Sequence, residues 1–157
     1  MVVPSYGIDL PVVAGDAQVV GNEPGYPLCD VAQYLLAYRQ PSETGTAYLY
    51  AHARKGMFLP LLEASTRDDG AELLGREVLV YTYDSMLYRY EIDVVNRHAT
   101  DYLLADSIRP GDRRLILQTS EGPVGTVPKL QVGARLVAEV PASPSDALRN
   151  PAPRACS

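Results

Sequence analysis

The chain has 157 residues, 46% of them hydrophobic and 21% charged, which suits one globular domain with a real core. Fourteen basic against nineteen acidic residues give a formal charge of −5, and no basic stripe interleaved with aromatics occurs, so nucleic acid is not an expected partner. There is no signal-peptide pattern and no run of about 20 apolar residues. The expectation is either a cytoplasmic chain or the soluble domain of an exported protein that reaches the membrane only through an anchor this chain lacks.

In chain order, "VPSYGIDLPVV" alternates and carries prolines near its ends, the pattern of an edge strand. "AGDAQVVGNEPGYP" is loop by its Gly, Pro and Asn content. "LCDVAQYLLAY" (28–38) has no clean period and reads as strand at its start. After the turn "RQPSETG", "TAYLYAHA" (46–53) is a tyrosine-rich strand that delivers His52 at its end. "GMFLPLLEAS" suits one or two helical turns with Pro60 placed early. "REVLVYTYD" and "MLYRYEIDVVNRH" form a long hairpin about Asp84 and Ser85. "ATDYLLADSIRPGD" is a loop with a turn of helix. "RRLILQTS" and "KLQVGARLVAEV" are the last strands, with Leu115 and Leu117 on one face.

From Pro141 onward, "PASPSDALRNPAPRACS" is rich in Pro, Ala and Ser and reads as disordered. The organisation is therefore a β domain over 1–140 and a disordered tail over 141–157. About eight short strands with one or two short helices imply an all-β, closed or partly closed β-barrel. The sequence holds two cysteines, Cys29 and Cys156. A bond between them would tie the tail to the N-terminal third, but pairing cannot be read from sequence, and Cys156 is expected as an exposed tail residue. His98 in "NRHATD" reads as a surface histidine, and the loop acids Asp84, Asp101 and Asp106 lack the spacing of a Ca²⁺ loop.

The ordered set "VPSYGIDLPVV", "PSETGTAYLYAH", "GMFLPLLEA" and "LILQT", followed by a last strand opening at "KLQV", resembles the sortases, the bacterial surface cysteine transpeptidases. The likeness runs over roughly residues 3–140. It implies a sortase-like closed β-barrel at the extracellular face of the cell membrane. It also implies cleavage of a sorting-signal peptide of a surface protein, transfer to an amine acceptor, and no cofactor. In that family a Cys thiolate attacks, a His works as acid, and an Arg steadies substrate and oxyanion. The resemblance carries the His onto His52, the Cys position onto Ser120 and the Arg position onto Lys129, with Thr119 beside the substrate groove.

Two of those three positions depart from the family pattern. A hydroxyl needs a base at the moment of attack, where a thiol needs only a lowered pKa, and lysine lacks the planar fork of arginine. Three readings remain open. In the first, catalysis is remodelled: His52 is acid/base, Cys29 supplies a relocated thiol, and Ser120 and Lys129 line the groove. A hairpin about "QPSETG" would set His52 opposite residue 32 or 33, leaving Cys29 roughly 10–13 Å farther along the strand. Cys29 as a plain packing cysteine stands beside this reading. In the second, the chain is a catalytically inactive pseudo-sortase that binds peptide. In the third, it is a Cys-to-Ser trapped variant of an ordinary sortase.

Overall fold

The computed structural model describes residues 1–156. Nine strands form one sheet that curls into a half-barrel, the mostly-β architecture that the strand pattern implies. The first segment is more broken than a single edge strand. β1 (Val2–Val3) runs into a 3₁₀ turn at Pro4–Tyr6, Gly7 takes a left-handed conformation (φ 63°), and β2 (Ile8–Asp9) returns antiparallel with Val2 opposite Asp9. A Cβ at that φ is strained, which is what glycine avoids. β3 (Val12–Ala14) then lies parallel to β4 (Ala32–Tyr34) at the far edge of the sheet.

β5 (Gly45–Tyr50) pairs antiparallel with β4 and parallel with β8 (Arg113–Ser120). β6 (Glu77–Thr82) and β7 (Met86–Ala99) are the expected hairpin, with Ser85 at φ 59° in its turn. β7 continues against β9 (Lys129–Pro141), and β9 pairs with β8. The strand order is β2-β1-β6-β7-β9-β8-β5-β4-β3. The helices are short: α1 (Leu59–Ser65), with Pro60 in its first turn, and α2 (Leu103–Asp106). Proline is tolerated there because the first amides of a helix have no intrahelical acceptor.

Alternation decides the core. Leu115 and Leu117 of β8 and Val78 and Val80 of β6 are buried, each side chain contributing about 1.5–3 kcal/mol of apolar burial. Tyr48, Tyr88 and Tyr90 are fully buried with them. Among the described residues the buried side-chain polar atoms are paired except Arg97 Nε, as burial generally requires. Tyr48 Oη donates to Gln118 Oε1 (2.5 Å), and Gln131 Nε2 donates to Tyr48 Oη (3.2 Å). This network ties β5, β8 and β9 together beneath their common end.

The C-terminal segment differs from the disorder that its composition suggests. α3 (Pro144–Ala147) is capped by Ser143 and buries Ala147. Farther on, the Cys29 amide donates to Arg154 O (2.9 Å), and the Arg154 guanidinium meets Asp30 (2.5 Å). Cys156 is bonded to Cys29, with the two Cα atoms 5.3 Å apart. Composition weighs only apolar burial against ordering entropy. Here a covalent bond and a backbone bridge hold a segment that apolar burial alone would not.

Candidate functional site

The parallel register of β5 and β8 sets the site. Tyr50 lies opposite Gln118, and the alignment runs on past the end of β5. The Ala51 amide donates to Gln118 O (3.1 Å), and Thr119 Oγ1 donates to Ala51 O (2.8 Å). His52 follows at the mouth of the same end, where Ser120 closes β8. Lys129 is the cross-strand partner of Ser120 at the start of β9. His52, Ser120 and Lys129 therefore line one groove of about 750 Å³, together with Tyr26, Pro27 and Arg54.

His52 is half-buried, and its Nε2 lies 2.6 Å from the carbonyl oxygen of Pro27. A carbonyl only accepts, so Nε2 carries the proton. Burial is the main cause that pushes the imidazole pKa below 6.5; the Pro27 contact opposes this and the Arg54 charge reinforces it. The ring is neutral at neutral pH as a result. The Tyr26 ring packs against it at 4.9 Å between centroids. The His52 carbonyl is held by the Phe58 amide (3.0 Å), which anchors the turn leading into α1.

Lys129 Nζ lies 3.3 Å from Ser120 Oγ and 2.7 Å from Thr126 O. Ser120 is partly exposed to the groove, whereas Thr119 is buried and spends its hydroxyl on Ala51 O. Thr119 thus braces the strand end. The neighbouring Glu121 is engaged by exposed His98, through the amide (2.8 Å) and Nδ1 (2.7 Å). His98 is at the surface, as its sequence context suggests.

Cys29 requires a correction. It was expected as a relocated thiol or a packing cysteine; it is buried in the core cluster but disulfide-bonded to Cys156. Among the described residues no cysteine is free, so no thiol is at hand to act as a nucleophile in this state. The expected nearness to His52 does occur. Gln33 pairs with Tyr50, so the antiparallel register carries His52 toward residue 31, closer to Cys29 than the symmetric hairpin places it. The ligand atoms of Cys29, His52 and Cys156 all lie within 4.8 Å of one another. This is the one group among the described residues with the composition of a soft-metal site. Arg54 Nη1 donates to Cys29 Sγ at 3.7 Å.

Three participants escaped the sequence reading. Pro27 and Tyr26 sit in a loop whose composition announces only a turn, and a backbone carbonyl leaves no mark in sequence. Arg54, a cation two residues beyond His52 in "AHAR", is the one that could have been flagged.

A sortase-domain family model matches residues 1–139. The chain is similar in structure to sortase A of Listeria monocytogenes, with a TM-score of 0.66 and 17% identity over 91% of this chain and 88% of that one. It is also similar to the sortase C2 of Group B Streptococcus pilus island 1, with a TM-score of 0.65 and 18% identity over 87% of this chain and 72% of that one. Sortase A from Corynebacterium diphtheriae matches with a TM-score of 0.67 and 18% identity, over 91% of this chain but 61% of that one. No curated protein matches the chain in sequence. With the family model spanning most of its length and the half-barrel shared with these structures, the chain belongs to the sortase family.

Proposed function

We propose that this chain binds an extended sorting-signal peptide of a surface protein in the groove and cleaves it by acyl transfer through a remodelled site, with Ser120 as the reacting hydroxyl. The observation that carries the reading is Lys129 Nζ at 3.3 Å from Ser120 Oγ, inside the groove lined by His52. In this reading Ser120 takes the place of the family's cysteine, and Lys129 that of its arginine. That double change replaces a thiol and a fixed cation with a hydroxyl and a group able to act as its base, the logic of serine–lysine pairs.

In this reading the Lys129 amine takes the hydroxyl proton as Oγ attacks the scissile carbonyl. It returns that proton to the amine that leaves, and an ester forms on Ser120. An acceptor amine resolves the ester in the second half. His52 Nδ1, unprotonated because Nε2 carries the ring proton, takes the proton that this amine loses and gives it up as the ester C–O bond breaks, so that Ser120 recovers its hydroxyl. His52 is thus a base and orienting group, where the family pattern assigns it the role of acid. Residues 1–140 form the catalytic domain, and 141–157 a C-terminal extension. We place the domain on the outer face of the cell membrane; no helix among the described residues is long and apolar enough to cross a membrane.

A second reading, a peptide-binding module without turnover, is favoured by the shorter bond from Lys129 Nζ to Thr126 O (2.7 Å). That contact suits a lysine held as a charged donor. One experiment separates the two. A library of quenched sorting-signal peptides is incubated with the protein and an acceptor amine, and the protein is then examined by mass spectrometry. A peptide ester on Ser120, absent from Ser120→Ala, supports catalysis. Saturable binding with no cleavage in either protein supports the binding module. Activity that appears only in Ser120→Cys would mark position 120 as a blocked ordinary site.

A further inference from the structure

The Cys29–Cys156 disulfide has surroundings that a covalent staple does not need. A staple requires two sulfurs; here a histidine ring nitrogen lies within 4.8 Å of both. The guanidinium of Arg54 donates to one of them, and the Pro27 carbonyl sits 2.6 Å from His52 Nε2 and 3.6 Å from Cys156 Sγ. We propose that, when this disulfide is reduced, Cys29, Cys156 and His52 bind one zinc ion.

Two thiolates and one imidazole are the donors that select zinc among common divalent ions. Tetrahedral zinc with bonds of about 2.3 Å to sulfur and 2.0–2.1 Å to nitrogen needs ligand atoms about 3.5–3.8 Å apart. The sulfur–nitrogen separations already fall within 4.8 Å. The sulfurs, joined in the disulfide, must part once it is reduced to reach that spacing. Cys156 lies on a segment without regular structure, beyond the bridge at Arg154, so it is the side that moves. The Arg54 N–H supplies a hydrogen bond to the Cys29 thiolate, and the Pro27 oxygen is placed to receive an imidazole N–H, the outer contact that metal-bound histidines use.

The balance is simple. A dithiol or phosphine reductant supplies two electrons, and two protons from solvent complete the thiols. The metal then displaces both thiol protons, and a divalent ion against two thiolates is neutral. Because His52 also lines the peptide groove, zinc loading would take its imidazole out of peptide handling.

The test uses the full chain, reduced with a phosphine under anaerobic conditions and titrated with Co²⁺ as the visible probe, then with Zn²⁺. The expected result is one Co²⁺ per chain with thiolate charge-transfer and tetrahedral absorption, displaced by Zn²⁺, while the oxidised chain binds none. His52→Ala leaves the disulfide intact and so can be purified folded; after reduction it should bind Co²⁺ at least about 10-fold more weakly, since even outer-contact losses cost that much. Cys156→Ser should lose the charge-transfer bands of a two-thiolate site. Three results would each overturn the proposal. They are no stoichiometric binding after reduction, unchanged affinity in His52→Ala, and loss of the native circular dichroism on reduction with no recovery when metal is added. No peptide enters the titration and the peptide assay uses the oxidised chain, so either proposal can fail alone.

Discussion

Ser120 and Lys129 are the last facing pair of β8 and β9, and their side chains meet at 3.3 Å across the open end of the sheet. Removing the amine should therefore act on chemistry more than on binding. Lys129→Met is expected to lower kcat for peptide cleavage by about 10²–10⁴, the usual range for a proton-transfer group, with KM changed little. Lys129→Arg keeps the charge but cannot give up its proton, so it should remain as slow as the methionine variant. Steady-state kinetics on a cleavable peptide decide this; an arginine variant as fast as the parent would show that charge alone is used.

The lowered pKa of His52 has a consequence for folding. Its cause is burial, which disfavours the charged ring in the folded chain. Below pH about 6.5 the unfolded chain takes up a proton that the folded chain resists, so stability falls as pH falls through that value toward the folded pKa; above it, His52 contributes no slope. Melting temperatures measured from about pH 7.5 down to about pH 5 should drop more steeply for the parent than for His52→Gln. Parallel curves would contradict the assignment.

The disulfide joins residues 127 apart in sequence. Closing so long a loop in the unfolded chain stabilises the fold by about 2–5 kcal/mol. Cys156→Ser should lower the melting temperature by roughly 5–15 °C for a chain of this size. Deleting the tail from residue 142 should cost at least as much, since the Arg154–Asp30 contact and buried Ala147 go with it. A shift of under a degree or two would return the tail to the passive role that its composition suggests.

Gly133 of β9 offers a packing test remote from the groove. A Cβ built there would overlap Val94 Cγ1, so Gly133→Ala overpacks the β7–β9 contact. The expected loss is about 1–3 kcal/mol in denaturant unfolding. Adding Val94→Ala should recover part of it, because the two positions share one space. Additive losses in the double variant would locate the strain elsewhere.

The legibility of this chain divides along a physical line. Strand pairs such as β6–β7 and the β8–β9 end were readable because alternation and turn residues are local. The place of His52, Ser120 and Lys129 at one end of the sheet was readable through the family resemblance. The Cys29–Cys156 bond was not, because pairing depends on where the tail returns, and a Pro-rich tail carries no local signal of its destination. The first segment read as one strand because its alternation is continuous, while the break comes from Pro4 and the left-handed Gly7. The carbonyl of Pro27 was invisible, since every residue has one.

The parallel pairing of β5 with β8 sets a rule for how this sequence can vary. His52 and Ser120 leave their strands at matched heights, in a register fixed by hydrogen bonds from Gly45–Arg113 to Tyr50–Gln118. The turns and loops between the strands, such as the turn of the β6–β7 hairpin and the loop after α2, can lengthen or shorten without altering that match. A single residue inserted inside either strand would shift its tip by about 3.3 Å and turn its side chain to the opposite face. Libraries of insertions across the chain should therefore show two silent intervals, the hairpin turn at 83–85 and the loop at 107–111. Two short intervals, 46–51 and 114–119, should tolerate none.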